Sequence, residues 1–243
     1  MRQHFFAHDP EPMPDLPPDG EPEAIVQAIA AAAWQARLAG EQCESILVSC
    51  TTDEAGAFLD LLGRTIKTPV RLLGRDVTAD IPIGYKHPAE MGSDRLANAV
   101  AAVARHGTPV VVIDCGTCIT SEVIDSEGTL IGGNIGAGFP LISLGLMNLS
   151  ERLNQALNTV LHEEPTDLIG RSAAEAVNYG MLLQLAGTAD RFVSEACMLM
   201  ELAEVPVVVT GGDGEVCAQF MVEDSVHDAL LTLEGLRLID GTA

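Results

Sequence analysis

Apolar residues along this chain come in two patterns. Short unbroken runs, bounded by Gly, Pro or polar residues, predict buried strands at 45–50 (SILVSC), 69–73, 109–113 and 205–210 (VPVVVT). Longer stretches in which Ala, Leu and Val recur every three to four positions predict helices at 24–39, 92–106, 140–161, 172–203 and 227–238. A further helix is expected to run from a cap at Thr52 or Asp53 to about Leu62. Residues 118–124 and 129–133 read as two strands joined by DSEG at 125–128, a hairpin turn. Residues 8–23 (HDPEPMPDLPPDGEPE) hold prolines and acids with little to bury, and the leader 1–23 is expected to be disordered.

The resulting order, α-β-α-β-α and then β-β-β-α-α-β-α, is that of an α/β protein whose sheets are covered by helices. Ligands of such folds sit beyond the carboxyl ends of strands. Here those ends are 114–117 (DCGT) and 210–213 (TGGD).

Composition narrows the function classes. With 13 Lys and Arg against 35 Asp and Glu, the net charge of -22 argues against nucleic-acid partners and anionic membrane surfaces. The apolar runs are too interrupted for a membrane-spanning helix, and no signal peptide is read at the start, so a cytoplasmic protein is expected. Aromatics make up only 4%, which leaves Leu, Val, Ile and Ala to fill the core.

Cys115 and Cys118 form a C-x-x-C pair, yet no second pair or His cluster accompanies them, as a zinc site requires. A redox pair belongs at a helix start, whereas this one joins strand to strand. The turn better suits an anion: Gly116 lets the backbone approach a ligand, successive N–H groups make a concavity, Thr117 and Thr120 bring hydroxyls, and Asp114 can hold a cation or its water. Taken alone, Asp94 could be a helix cap, Arg95 a solvated charge, and the Gly pairs plain turns.

In order along the chain, Tyr85, Pro88, GSDRLANAVAA (92–102), DCGTCIT (114–120), LIGGNIGAG (130–138), GRSAAEAVNYG (170–180), VVVTGGDG (207–214) and LTLEGLRLI (231–239) resemble the motif set of the type III pantothenate kinases. The likeness spans about Ser45 to Asp240. It implies two ribonuclease H-like (actin-like ATPase) lobes with mixed sheets flanked by helices, the first at 24–106 and the second at 107–243. It implies ATP-dependent phosphorylation of pantothenate, the first step toward coenzyme A, by a homodimer using ATP, Mg2+ and a monovalent cation, K+ or NH4+.

On the same resemblance Asp94 is the general base. Tyr85, Gly92, Ser93, Arg95 and Ala173 bind pantothenate, with an Arg fork suited to its carboxylate. Gly116, Thr117, Gly211 and Gly212 meet ATP, and Asp114 holds the monovalent cation. The sequence departs from the family at Ala173 (usually Thr) and Ala137 (usually Pro). It also shows no D-x-G-N-T phosphate loop on a first strand. An incomplete first lobe would cradle phosphate once rather than twice, so weak ATP binding is expected, and a non-catalytic or regulatory relative is the alternative.

Overall fold

A computed structural model describes residues 46–50, 69–159 and 168–241. The expected leader, the helix at 24–39 and the helix at 52–62 lie outside the described residues. In chain order the elements are β1 (Ile46–Val48), β2 (Val70–Leu72), α1 (Ser93–His106), β3 (Val110–Cys115), β4 (Cys118–Ile124), β5 (Leu130–Gly132), β6 (Ile135–Ala137), α2 (Phe139–Leu149), α3 (Glu151–Leu157), α4 (Ala173–Met200), β7 (Val207–Thr210), α5 (Gly214–Phe220), β8 (Val226–His227) and α6 (Leu231–Gly241).

The main sheet is mixed, in the order β5-β4-β3-β7-β8, with β6 pairing β4. The β3–β4 hairpin is antiparallel, with Val110 opposite Ile124, Val112 opposite Glu122 and Asp114 opposite Thr120. β3 runs parallel to β7, where Asp114 faces Thr210. Side chains alternate across a strand, so this register divides the hairpin between two cores. Val110, Val112 and Ile124 pack with Leu96, Ala99 and Ala102 of α1 and with Leu231 and Ile239 of α6. Val111, Ile113, Cys115, Ile119 and Val123 pack with Leu185, Ala189 and Val193 of α4 and Cys217 of α5. A small parallel pair, β1 with β2, is tied to the main body by an ion pair from Arg71 to Asp240 on α6.

Three elements differ from the sequence expectation. The helix expected across 140–161 is broken at Ser150, whose backbone is extended and whose hydroxyl accepts from Leu153 N to cap α3. A serine that offers its side chain to the backbone ends one helix and starts another. The last helix begins at Leu231, not at 227, because Val226 and His227 pair with β7 as β8. The Gly-rich segment after β5 contains a strand, β6, that glycine content concealed. By contrast α4 starts where its sequence says, on a capping box of Ser172 and Glu175. Among the described residues no helix is long and apolar enough to cross a membrane.

Candidate active site

The alternation that fills the α1-side core also delivers the chemistry. Beyond Val110 and Val112, the next residue of β3 on that face is Asp114; on β4, Thr120 and Glu122 share the face with Ile124. The start of α1 lies over these positions. Arg95 donates through Nε to Glu122 Oε1 at 2.8 Å and through Nη2 to the Ser121 carbonyl at 2.8 Å. Its Nη1 lies 3.4 Å from the Tyr85 hydroxyl, and its Cζ 5.9 Å from the centre of the Tyr85 ring, within cation–π range. Tyr85 is brought there by the segment whose Ile83 bridges to Leu130 of β5, with Gly84 N donating to the Leu130 carbonyl.

Arg95 is therefore no solvated charge: it is 5% exposed and its pair with Glu122 is internal. Burial works against its positive charge, but the attraction and hydrogen bond from Glu122 outweigh that and hold its pKa above the ordinary value. Burial raises Glu122 to about 7, opposed by Arg95 and by the Thr120 hydroxyl. The Nε–Nη2 edge of the guanidinium is taken up by Glu122 and Ser121, which leaves Nη1 beside Tyr85. Thr120, read from sequence as a possible phosphate contact, spends its hydroxyl on Glu122 Oε1 at 2.9 Å.

Asp94 is half-buried in the first turn of α1, and its Oδ1 accepts from the Arg95 amide at 2.8 Å. The cap position itself is Gly92, which has no side chain to offer. Ser93 ties the helix start to the end of β1: its hydroxyl lies 2.7 Å from Ser49 Oγ and accepts from Cys50 N at 3.2 Å. Asp94 and Asp114 share one electrostatic neighbourhood. Burial first raises the Asp114 carboxyl, the Asn98 hydrogen bond lowers it, and the negative charge of Asp94 raises it further. Asn98 is fully buried; its Nδ2 donates to Asp114 Oδ2 at 2.8 Å while its Oδ1 accepts from Thr232 of α6 at 2.6 Å.

Two turns lie side by side beyond β3 and β7. In the first, Gly116 N donates to the Cys118 carbonyl at 2.9 Å and Thr117 is exposed at the tip. A Cβ on Gly116 would find only the Cys118 carbonyl at 3.9 Å, so packing within the protein does not demand glycine there. In the second, Gly211 has φ +90°, and a Cβ on it would lie 2.4 Å from the Cys115 carbonyl and 2.5 Å from Asp114 Oδ1. Only glycine meets both conditions. Gly212 is open.

Asp114 Oδ1, facing Gly211, has no protein donor among the described residues, which suits a cation or its water. Also among the described residues, no group of three or more His, Cys, Asp or Glu is placed to hold a metal. Cys115 and Cys217 are buried thiols, and their mutual hydrogen bond, with burial, pushes the Cys115 thiol up and out of the reactive range.

Ala173 is not brought to this cluster. It is exposed at the start of α4, the helix on the opposite face of the sheet from α1. Glu122, Asn98 and Thr232 were missed by the sequence reading. Glu122 had a signal: a lone acid within the alternating strand CITSEVI.

A family model described as type III pantothenate kinase matches residues 21–195. The chain belongs to that family. A type III pantothenate kinase from Thermomicrobium roseum is 39% identical over 199 residues, covering 82% of this chain and 74% of the relative. Among solved structures, a Baf family protein from Campylobacter jejuni superposes with a TM-score of 0.54 at 19% identity, covering 85% of this chain and 87% of the other. A ROK family glucokinase from Streptomyces griseus, solved with glucose and AMPPNP, reaches a TM-score of 0.50 at 14% identity, covering 93% and 90%. The shared architecture is the actin-like ATPase fold. In this member of the type III pantothenate kinase family, Arg95 and Tyr85 lie over the middle of one sheet face, Asp114 at the end of β3 on that face, and the 115–118 and 211–213 turns just beyond it.

Proposed function

We propose that the chain transfers the γ-phosphoryl group of ATP to the primary hydroxyl of pantothenate, yielding 4'-phosphopantothenate for coenzyme A synthesis. The observation that carries this reading is the hydrogen bond of Asn98, one turn after Asp94 on α1, to Asp114 Oδ2 at 2.8 Å, beside the Tyr85–Arg95 contact. Asp94, half-buried with its Oδ1 steadied by a backbone amide, takes the hydroxyl proton. Arg95 Nη1 and the Tyr85 hydroxyl face the acceptor, with Gly92 and Ser93 shaping its wall. The 115–118 turn, through Gly116 and Thr117, and the 211–213 turn, through Gly211 and Gly212, take ATP. Mg2+ neutralises charge on the phosphates when bound, and Asp114 is the residue that would hold a monovalent cation, K+ or NH4+. Positioning and charge neutralisation supply most of the rate in such transfers.

The homodimer belongs to the same proposal. Leu141, Leu144 and Leu149 of α2 and Ile135 of β6 are all more than 40% exposed, an apolar surface a second copy would cover. Ala173, on the far layer from Asp94, meets the acceptor site from such a copy in this reading. The lobe boundary near residue 107 and a cytoplasmic location complete the reading. Steady-state assay of the full chain with pantothenate, Mg-ATP and K+, coupled to ADP release, tests it. Pantothenate-dependent ADP release that requires K+ is the expected result. ADP release that ignores pantothenate across a panel of hydroxyl acceptors would remove the substrate assignment. Calorimetric binding of pantothenate without turnover would convert the enzyme into a binding relative.

A further inference from the structure

Glu122 has no part in the reaction just described, and its setting is costly. Its carboxylate is wholly buried; Oε1 accepts from both Arg95 Nε and Thr120 Oγ1, while Oε2 has no hydrogen-bond partner. A buried carboxylate with an idle oxygen carries a desolvation cost that an apolar residue would not. The neighbouring positions on this face, Val110, Val112 and Ile124, show what packing alone would place there.

What the carboxylate accomplishes is geometric. Glu122 occupies Nε of Arg95 and the Ser121 carbonyl occupies Nη2. Gly133 presses in beside them: a Cβ there would sit 2.6 Å from Nη2 and 1.6 Å from the Ser121 carbonyl oxygen. The guanidinium is thus held in one plane, with Nη1 as its remaining edge. Nη1 and the Tyr85 hydroxyl stand 3.4 Å apart, too long for a strong bond between them, so both keep capacity for a ligand oxygen.

We propose that Glu122 is a positioning residue: it clamps Arg95 so that Nη1 and the Tyr85 hydroxyl form a two-donor site for an oxygen of the acceptor, and it prevents the fork-like pairing that an unclamped arginine would make. This rests on the reading that Arg95 faces the acceptor. The clamp sets the angle at which the acceptor presents its hydroxyl to Asp94.

The full-length Glu122→Gln variant keeps the shape and one acceptor oxygen but loses the charge. Its KM for pantothenate is expected to rise about tenfold, the difference between a charge-assisted and a neutral hydrogen bond, with KM for ATP held within about twofold. A merely structural residue would lower the active fraction and the melting temperature and leave both KM values alone. That result, or an equal rise in both KM values, overturns the proposal. Thr120→Val, which removes only the hydroxyl on Oε1, serves as the milder variant should Glu122→Gln fold poorly, and is expected to raise KM for pantothenate about threefold.

A second readout does not depend on turnover. Modification of Arg95 by an arginine-selective dicarbonyl, followed by peptide mass spectrometry, should be at least about tenfold faster in Glu122→Gln than in the wild type. The exposed Arg191, which pairs with Glu195, should react equally in both. Should the wild type fail to phosphorylate pantothenate, the functional reading falls and this arm alone judges the clamp. Equal Arg95 rates would then dismiss it.

Discussion

On the α4–α5 side of the main sheet, the inward residues of β3 and β7 are apolar to their last positions: Val111, Ile113 and Cys115 on one, Val207 and Val209 on the other. On the α1–α6 side the same strands begin with Val110, Val112 and Val208 and end at Asp114 and Thr210, with Thr120 and Glu122 opposite on β4. The first face holds a single buried polar side chain on these strands, Ser121 of β4, whose hydroxyl accepts from the Asn134 amide at 2.9 Å. The second buries two charges and three polar side chains, Arg95, Glu122, Asn98, Ser93 and Thr210, leading up to the strand ends where a ligand of this fold would sit. Buried charge on one face, in a network where nearly every member has a partner, marks the face that carries function rather than stability.

The comparison is broken most severely at Asp94. Asp94→Asn is expected to lose about 10²–10⁴-fold in turnover with pantothenate, with little change in melting temperature because the side chain is half-buried and an asparagine Oδ1 can still accept from the Arg95 amide. Turnover within threefold of the wild type in the coupled assay would end its role as base. On the opposite face, Ile113→Ala should do the reverse. It opens a cavity at a residue with 0% exposure and should cost about 2–5 kcal/mol in urea unfolding, with both KM values unchanged in the folded fraction.

Neighbouring glycines sharpen the contrast at smaller scale. Gly211→Ala meets both φ +90° and the Cys115 carbonyl, and should cost about 1–3 kcal/mol and raise KM for ATP. Gly212→Ala, in open space, should stay within about 0.5 kcal/mol of the wild type in stability.

A further expected effect is electrostatic. Burial raises Glu122 from 4.5 to about 7. A carboxyl whose folded-state pKa lies above its unfolded value binds its proton more tightly when folded, so the contribution is present at low pH and lost as pH climbs through that window. Stability in urea should fall between pH 4.5 and about 7 by no more than about 1.4 kcal/mol per pH unit, and Glu122→Gln should flatten that slope. An identical slope in the variant would show that Glu122 keeps one protonation state throughout.

Most of the elements that hold the site were legible in advance. The VVVID run gave β3 and its terminal acid, the Gly-Ser-Asp-Arg start gave α1, and the periodic stretch from Ser172 gave α4. Each of these depends on neighbours within a few residues. The errors fell where a distant partner decides. Ser150 splits a helix that apolar periodicity alone would continue, and β6 and β8 exist because β4 and β7 offer edges to pair with. Arg95 could be placed on α1 from its motif, but not the direction of its guanidinium. That direction is set by Glu122, 27 residues further along, and by the room left at Gly133.

The sequence by itself determined which residues alternate, which cap, and which glycines must turn, because backbone sterics and side-chain period act locally. It therefore named Asp94, Arg95 and Asp114 as members of a family motif set. Only the tertiary structure decided that α1 lies on the face bearing Asp114 and Glu122, that Ala173 lies on the other, and that Asn98 holds both Asp114 and Thr232, the latter 134 residues after it in the chain. Strand pairing and helix packing are collective choices: each is favourable only once its partner is in place, and no single stretch of chain encodes where that partner will be.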